Sequence, residues 1–381
     1  MQKLGIYAHI PFCKRKCLYC DFCSHTPKGQ SEVERYLNAL MLHMQDFRAA
    51  AHGQTVDTVY IGGGTPSLLQ KDQLKRLLSC IFDCFSVEKN AEISMECNPG
   101  TVDKAYLKAA KKYGVNRISF GLQSTFDEEL RALGRIHTYA EFSESYRAAV
   151  AAGFDNINLD LMYGIPKQTP ESFSETLSRV IKLSPAHISV YGLKIEEGTP
   201  FYEKKDTLKL PDEETEYKMY FDAHNILCAA GYEHYEISNF AKPGKRSRHN
   251  LRYWQNERYL GFGVSAHSCF CGQRYAYTKD MDAYIGEMEV PTDISSILSE
   301  CNDIDVFTRE TEYVMLGLRL FDGIDFAAYR ANFGADFMQK YGAKLKPYID
   351  GGFVRVGKRA CAFTLKGMYV SNYILSDILE F

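Results

Sequence analysis

Cysteines dominate the run Cys13-Lys14-Arg15-Lys16-Cys17-Leu18-Tyr19-Cys20. Thiolates spaced by three and then two residues can wrap one corner of an iron–sulfur cubane and leave its fourth iron open. Lys14, Arg15 and Lys16 favour the thiolate forms and offset the negative charge of such a cluster. A structural zinc with Cys23 as fourth ligand competes with that reading, although zinc sites usually draw their cysteines as two separated pairs. A second landmark is Gly62-Gly63-Gly64-Thr65-Pro66. No Gly-Lys-Ser/Thr follows to make a phosphate loop, and the Gly-x-Gly-x-x-Gly spacing of a dinucleotide site is missing. Bare glycines let backbone amides and carbonyls approach an amino-acid moiety closely, and a tight strand–helix turn explains them equally well.

These residues need a scaffold, and the first 235 residues alternate short apolar runs with longer amphipathic ones. Strands are predicted at 4–10, 56–62, 91–97, 116–122, 155–162 and 186–193, each rich in β-branched or aromatic residues. The clearest helix spans 102–113, capped by Thr101 and ended by Gly114, and the last of the series lies near 212–230. Six βα units without an obvious reversal predict an α/β fold, a partial (β/α)6 TIM-like barrel over 1–235. Glu96, Gln123 and Asp160 then sit at or near the carboxyl ends of strands, the rim where such a barrel gathers its loops. Residues 236–304 read as a connecting region that is basic around 241–258 and rich in turn formers at 291–305, Pro291 among them. Helices at 308–321, 325–333 and 336–349, a strand pair around Gly357-Lys358-Arg359 and a helix at 366–379 predict a mainly helical, winged-helix-like domain over 305–381.

Composition sets the class. The chain has 381 residues, is 45% hydrophobic and 24% charged, and carries a formal charge of −3, which argues against a general nucleic-acid binder. No apolar run reaches the ~18 residues of a membrane span, and the start lacks a secretory h-region. Twelve cysteines in a chain too long to need a disulfide framework suit a reducing cytoplasm.

Tyr7-Ala-His-Ile-Pro-Phe-Cys13-x3-Cys17-x2-Cys20 with Gly62-Gly-Gly-Thr-Pro66 resembles the radical S-adenosylmethionine (SAM) superfamily. More narrowly, it resembles the branch holding oxygen-independent coproporphyrinogen III dehydrogenases and HemW-type haem chaperones. The likeness extends through Ser94-Met-Glu96-Cys-Asn98-Pro99, Ser119-Phe-Gly-Leu-Gln123, Gly134-Arg135, Asn158-Leu-Asp160 and Gly261-Phe-Gly-Val-Ser265. It implies one [4Fe–4S] cluster on Cys13, Cys17 and Cys20, whose open iron takes the amino and carboxylate groups of SAM. It further implies SAM contacts at Tyr7, Tyr19, Gly63, Gly64, Thr65, Glu96, Gln123, Arg135 and Asp160, with Lys194 and His267 matching in register only.

Inside the branch, Phe22 stands where the dehydrogenase resemblance wants a further cysteine, and only twelve residues precede Cys13. His249-Asn250-Leu251-Arg252-Tyr253-Trp254 resembles the His-Asn-x-x-Tyr-Trp motif of the HemW type. An imidazole from His249 could ligate haem iron, with Trp254 giving flat apolar contact and nearby cations meeting the propionates. A solvated basic loop anchored by Trp254 is the plainer reading. The resemblance therefore implies a cytoplasmic haem chaperone that hands haem to acceptor haem proteins, those of a respiratory chain among them. No nucleic-acid partner is expected, and oligomeric state stays open. The alternative is an enzyme, a coproporphyrinogen III dehydrogenase or another radical SAM enzyme acting on a tetrapyrrole. Cys80 with Cys84, and Cys269 with Cys271 along one strand, read as core or edge thiols; His9 and His187 read as satisfied core residues.

Overall fold

Side chains alternate between two environments along the strands that open the chain. In a computed structural model, which describes residues 2–290 and 293–379, these strands are β1 (Lys3–Ile10), β2 (Thr55–Gly63), β3 (Val87–Cys97), β4 (Arg117–Gln123), β5 (Ile157–Tyr163) and β6 (His187–Gly192). They pair in that order and all in parallel. Parallel neighbours need a crossover between them, supplied mainly by the helices Gln30–Asp46, Lys71–Cys84, Lys104–Lys112, Tyr139–Ala151 and Pro170–Leu183. The helix expected at 102–113 begins at Lys104, and its cap is Asp103, which accepts from the Tyr106 amide at 2.6 Å. Thr101 is not the cap because its hydroxyl donates to the Asn98 carbonyl, tightening the turn before the helix.

One face of the strands carries Val59, Ile61, Ile93, Met95, Ile118, Phe120, Leu159, Leu161 and Ile188, which pack with Leu37, Leu77, Leu107, Phe142 and Leu177 of the helices. The other face presents Tyr7, Tyr60, Ser94, Glu96, Ser119, Asn158, Asp160 and His187 at the intervening positions. A closed barrel usually fills that inner face with bulky branched side chains. Here it is polar, and the open partial barrel encloses a polar lumen.

The sheet does not stop at β6. On that side β7 (Glu233–Glu236) and β8 (Asn239–Ala241) add antiparallel strands. On the other, β9 (Tyr259–Phe262) runs parallel to β1, followed by antiparallel β10 (His267–Phe270), β11 (Gln273–Tyr277) and β12 (Leu298–Asp303), for twelve strands in all. The turn-rich stretch at 291–305 thus ends in an edge strand. Every residue of β12 is at least partly exposed, so no apolar alternation marked it; Pro291 lies outside the described residues.

The expected helix 212–230 is found as Glu213–Ala229, capped by Asp212. Beyond the sheet lie the helix Val306–Gly317, β13 (Ile324–Asp325), the helices Phe326–Phe333 and Phe337–Asp350, and the hairpin of β14 (Val354–Val356) and β15 (Ala360–Phe363). Sheet order β13-β15-β14 is that of a winged helix. The single helix expected at 366–379 is two, Leu365–Tyr369 and Ser371–Ile378. Gly367 lies against the Phe353 carbonyl, and the turn at Val370 lets Ile374, Leu375 and Ile378 reach the same core as Met368.

The His-Asn-x-x-Tyr-Trp segment forms the helix Arg248–Trp254, set against the amino-terminal ends of β2 and β3. Buried Arg252 pairs with Asp57, contacts Glu257 at 2.9 Å and donates to the Thr58 hydroxyl at 3.1 Å. The amides of Arg248 and His249 donate to Glu92 at 3.2 and 3.1 Å. This helix plugs the floor of the lumen. Removing Arg252 leaves Asp57 facing Lys3 and Arg248 at 3.5 Å only. Arg252→Ala is expected to lower stability by about 3 kcal/mol in urea denaturation. Asp57→Asn with Arg252→Met is expected to recover part of that loss, because no charge is then buried unpaired.

Candidate functional site

Where β1 ends, the chain leaves the sheet as a loop pinned from several sides. The Cys13 amide donates to the His25 carbonyl and the His25 amide to the Pro11 carbonyl, tying the two ends together. The Leu18 amide donates to Leu133, and Leu18 packs over Gly134. Cys13, Cys17 and Cys20 sit in electrostatic reach of one another, and burial pushes the Cys20 thiol up to about 11. Thr65 donates to the Cys13 sulfur at 3.5 Å and Arg135 to the Cys17 sulfur at 3.4 Å. Among the described residues no three His, Cys, Asp or Glu side chains converge tightly enough to hold a single ion. Cys23 stands apart from the sulfur donors, its thiol aimed at the Lys279 carbonyl at 3.9 Å. The donor set fits a group larger than one ion: three sulfurs, two of them already receiving hydrogen bonds, with the buried Arg135 Nε still lacking a partner.

The glycine run follows β2 and crosses the loop. Gly63 has φ +113° and stands so close to the His9 ring that any side chain would collide with it; a Cβ on Gly64 would meet the Phe12 carbonyl at 2.7 Å. His9 is held there by the Tyr7 hydroxyl at 3.0 Å and the Cys23 carbonyl at 2.8 Å.

Glu96 is the hub of the lumen. The Tyr60 hydroxyl donates to it at 2.9 Å and the Gly63 amide at 3.1 Å. Burial pushes its carboxyl up to about 7, against the pull of those two donors. Asp160 is likewise raised by burial while receiving Ser119 at 3.0 Å and Asn158 at 2.8 Å. Arg135 reaches the Gly121 carbonyl at 2.6 Å and Asn98 at 2.8 Å, and Asn98 donates to Thr65 at 2.7 Å. One chain of hydrogen bonds therefore runs from the Cys17 sulfur through Arg135 and Asn98 to Thr65 and the Cys13 sulfur. Gln123, at the end of β4, holds φ 69°, a left-handed backbone that a non-glycine residue adopts at a cost.

Of the residues expected from sequence, Tyr7, Gly63, Gly64, Thr65, Glu96, Arg135 and Asp160 converge on this rim and lumen. Tyr19 is half-buried beside Arg135, Cys17 and Cys20. Lys194 lies exposed in the loop after β6, and His267 is exposed at the start of β10; neither joins the network. Cys269 and Cys271 do not share a strand face, because Cys271 lies in the following turn with φ 51°. His9 and His187 are satisfied by hydrogen bonds, as expected.

His249 lies elsewhere. Its ring is buried in the floor, with Nδ1 bonded to Thr58 at 3.0 Å and Nε2 to Tyr253 at 2.8 Å, stacked on Tyr60. Both nitrogens are occupied, so in this arrangement the imidazole offers no lone pair to an iron. Burial also pulls its pKa down to about 3. Trp254 is half-buried at the end of the same helix. Sequence reasoning missed Tyr60 and Asn98 as site residues; their signal was an inward register on β2 and a place between Thr65 and Arg135 that only the fold reveals.

Residues 7–180 match the radical SAM superfamily profile and 308–370 that of the HemN C-terminal domain. Over 98% of both chains, the protein is 34% identical to the heme chaperone HemW of Bacillus subtilis. It is 38% identical to the heme chaperone HemW of Escherichia coli over 86% of each chain. Among solved structures it is similar to coproporphyrinogen III oxidase (HemN) from Escherichia coli, with a TM-score of 0.87, 25% identity and coverage of 99% and 90%.

Because Glu96 binds its proton more tightly folded than unfolded, the stability it contributes is full below about pH 4.5 and is lost as the pH rises through about 7. Infrared titration of the carboxyl band is expected to show a midpoint near 7 that moves higher in Tyr60→Phe, which loses a donor to the ionised form. A midpoint near 4.5 in the intact protein would contradict this environment.

Proposed function

For a chain that belongs to the HemW family of the radical SAM superfamily, we propose that it carries haem, binding it and delivering it to acceptor haem proteins. One observation bears most of the weight. The likeness to the haem chaperone of Bacillus subtilis runs over 98% of both chains, so it takes in the cluster loop, the lumen and the C-terminal module together. Phe22, in place of a further cysteine, supports the carrier over a decarboxylating enzyme. No helix among the described residues is long and apolar enough to cross a membrane, and we propose the cytoplasm as the compartment.

In this reading Cys13, Cys17 and Cys20 would hold one [4Fe–4S] cluster, with SAM bound beside it. The backbone of Gly63 and Gly64, with Thr65 and Arg135, would bracket its amino-acid end. Glu96 and Asp160 would offer acceptors to its amine or ribose hydroxyls, and Tyr7, Tyr19 and Gln123 would shape the walls; Lys194 would need its loop to fold inward. When bound, the cluster and SAM supply one-electron chemistry; the protein's part is to hold both away from water. The floor helix carries Trp254 and His249, and the latter acts on any ligand only by giving up its bonds to Thr58 and Tyr253.

A second reading is favoured by the 0.87 TM-score to HemN: a coproporphyrinogen III dehydrogenase-like enzyme on the same scaffold. The carrier is expected to take up haem when reconstituted anaerobically, and failure to bind it at all would overturn the proposal. Serine at Cys13, Cys17 or Cys20 is expected to abolish the iron–sulfur absorbance, whereas Cys23→Ser leaves it intact. Equal loss in Cys23→Ser would favour a four-cysteine site. Alanine at Glu96 or Asp160 removes a charge-assisted bond worth roughly 1.5–3 kcal/mol, so SAM affinity measured by calorimetry is expected to fall at least about tenfold. Unchanged affinity in both variants would make these carboxyls structural.

A further inference from the structure

Arg117 opens β4 on the inner face of the sheet, in register with Ser94 of β3, and is only 1% exposed. Among the described residues its guanidinium makes no hydrogen bond or ion pair. Its Nε is buried without a partner, and so is the Ser94 hydroxyl beside it. The neighbouring carboxyls do not answer it, because each has donors of its own. Glu92 takes the amides of Arg248 and His249, Glu96 takes Tyr60 and Gly63, and Asp160 takes Ser119 and Asn158. Arg117 nonetheless stands among them, since its charge is felt by Glu96, by Asp160 and by His249 in the floor. A buried cation without an anion is costly, and buried polar groups ordinarily find partners. The space above it is open to solvent, because Tyr60, Glu96, Gly121 and Asp160 are each partly exposed along the lumen.

We propose that Arg117 and Ser94 form a receptor for a carboxylate deep in the lumen, borne by a ligand that enters past Glu96 and Asp160. The unengaged atoms choose the chemistry. With Nε and the adjacent Nη both free of protein partners, the guanidinium presents a flat two-donor edge that matches the two oxygens of a carboxylate. The Ser94 hydroxyl adds a third donor. A halide meets that edge at one point only. The position also sets this receptor apart from the cluster loop. The Arg117 backbone lies six residues before Gln123, about 20 Å of strand from the rim. Its carboxylate therefore lies below the sulfur donors, on a ligand that extends down the lumen or on a small free acid. The inference goes beyond the carrier reading and does not depend on it.

The test titrates the full-length, anaerobically reconstituted protein with sodium propionate in carboxylate-free buffer. In the wild type, propionate is expected to raise the urea midpoint progressively, because it binds the folded state alone. Saturation transfer from the protein to the propionate methyl protons is expected alongside. Arg117→Met is expected to weaken propionate binding at least about tenfold, the loss of a two-donor charged contact. Without propionate that variant is expected to be at least as stable as the wild type, since it removes an unpaired buried charge. Ser94→Ala, whose hydroxyl has no protein partner to lose, is expected to fold normally and bind propionate more weakly. Metal-free protoporphyrin IX and its dimethyl ester, followed by fluorescence, distinguish the sources. Binding of the diacid that depends on Arg117 assigns the carboxylate to a tetrapyrrole arm; dependence for propionate alone assigns it to a small free acid. A wild type that ignores propionate, or variants that respond to it as the wild type does, would overturn the receptor. Chloride binding as tightly as propionate would overturn its assignment to a carboxylate.

Discussion

A carboxyl group taken out of water must find donors or keep its proton, and the lumen end of the inner face carries Glu96 and Asp160. Each is answered by neighbours on the same face: Tyr60 and Gly63 of the adjacent β2 for Glu96, and Ser119 of the adjacent β4 with Asn158 of β5 itself for Asp160. Those donors sit opposite because the parallel register sets Tyr60 beside Ser94 and Ser119 beside Asn158. The apolar outward face, packed under the helices, fixes that register, since a slip of one residue would turn every carboxyl into the oily layer. The polar lumen is therefore maintained by the hydrophobic core behind it.

The same constraint explains how the cluster loop is held. A loop bearing three thiols gains little from its own packing, so it is fastened by backbone bonds at both ends and by Leu18 over Gly134. Its sulfurs are then wired through Arg135, Asn98 and Thr65 to the ends of β2, β3 and β4. Bare glycines after β2 are required because the His9 ring and the Phe12 carbonyl occupy the space that side chains would need. Sulfur, glycine backbone and carboxyl are thus brought to one rim by separate strands, each of which also serves the core.

Much of this was legible. All six parallel strands lay within a few residues of their expected places, because β-branched runs ended at Gly, Asn or Pro mark fully covered strands well. Glu96 stands next to the end of β3 as expected, whereas Asp160, expected near a strand end, lies in the middle of β5 facing the lumen. What stayed hidden depended on contacts distant in sequence. β12 is an exposed edge with no alternation, and β9 joins the sheet beside β1 across about 250 residues. The His249 segment, with its imidazole, aromatics and cations, has the composition of a ligand site. Its arginine, however, finds Asp57 and its imidazole finds Thr58, and neither partnership can be read from the motif. Composition signals that polar groups need partners; only the fold says whether those partners are a ligand or the protein.

On the carrier reading proposed above, cargo rather than scaffold would separate this chain from the enzyme whose fold it resembles. The most direct measurement mixes the anaerobically reconstituted, haem-loaded protein with an excess of an apo haem protein and follows the Soret band of each. Coproporphyrinogen III, SAM and a reductant are supplied in a parallel reaction. The carrier account predicts stoichiometric transfer of haem to the acceptor and no decarboxylated tetrapyrrole above background. Catalytic decarboxylation with haem retained or never bound would contradict it.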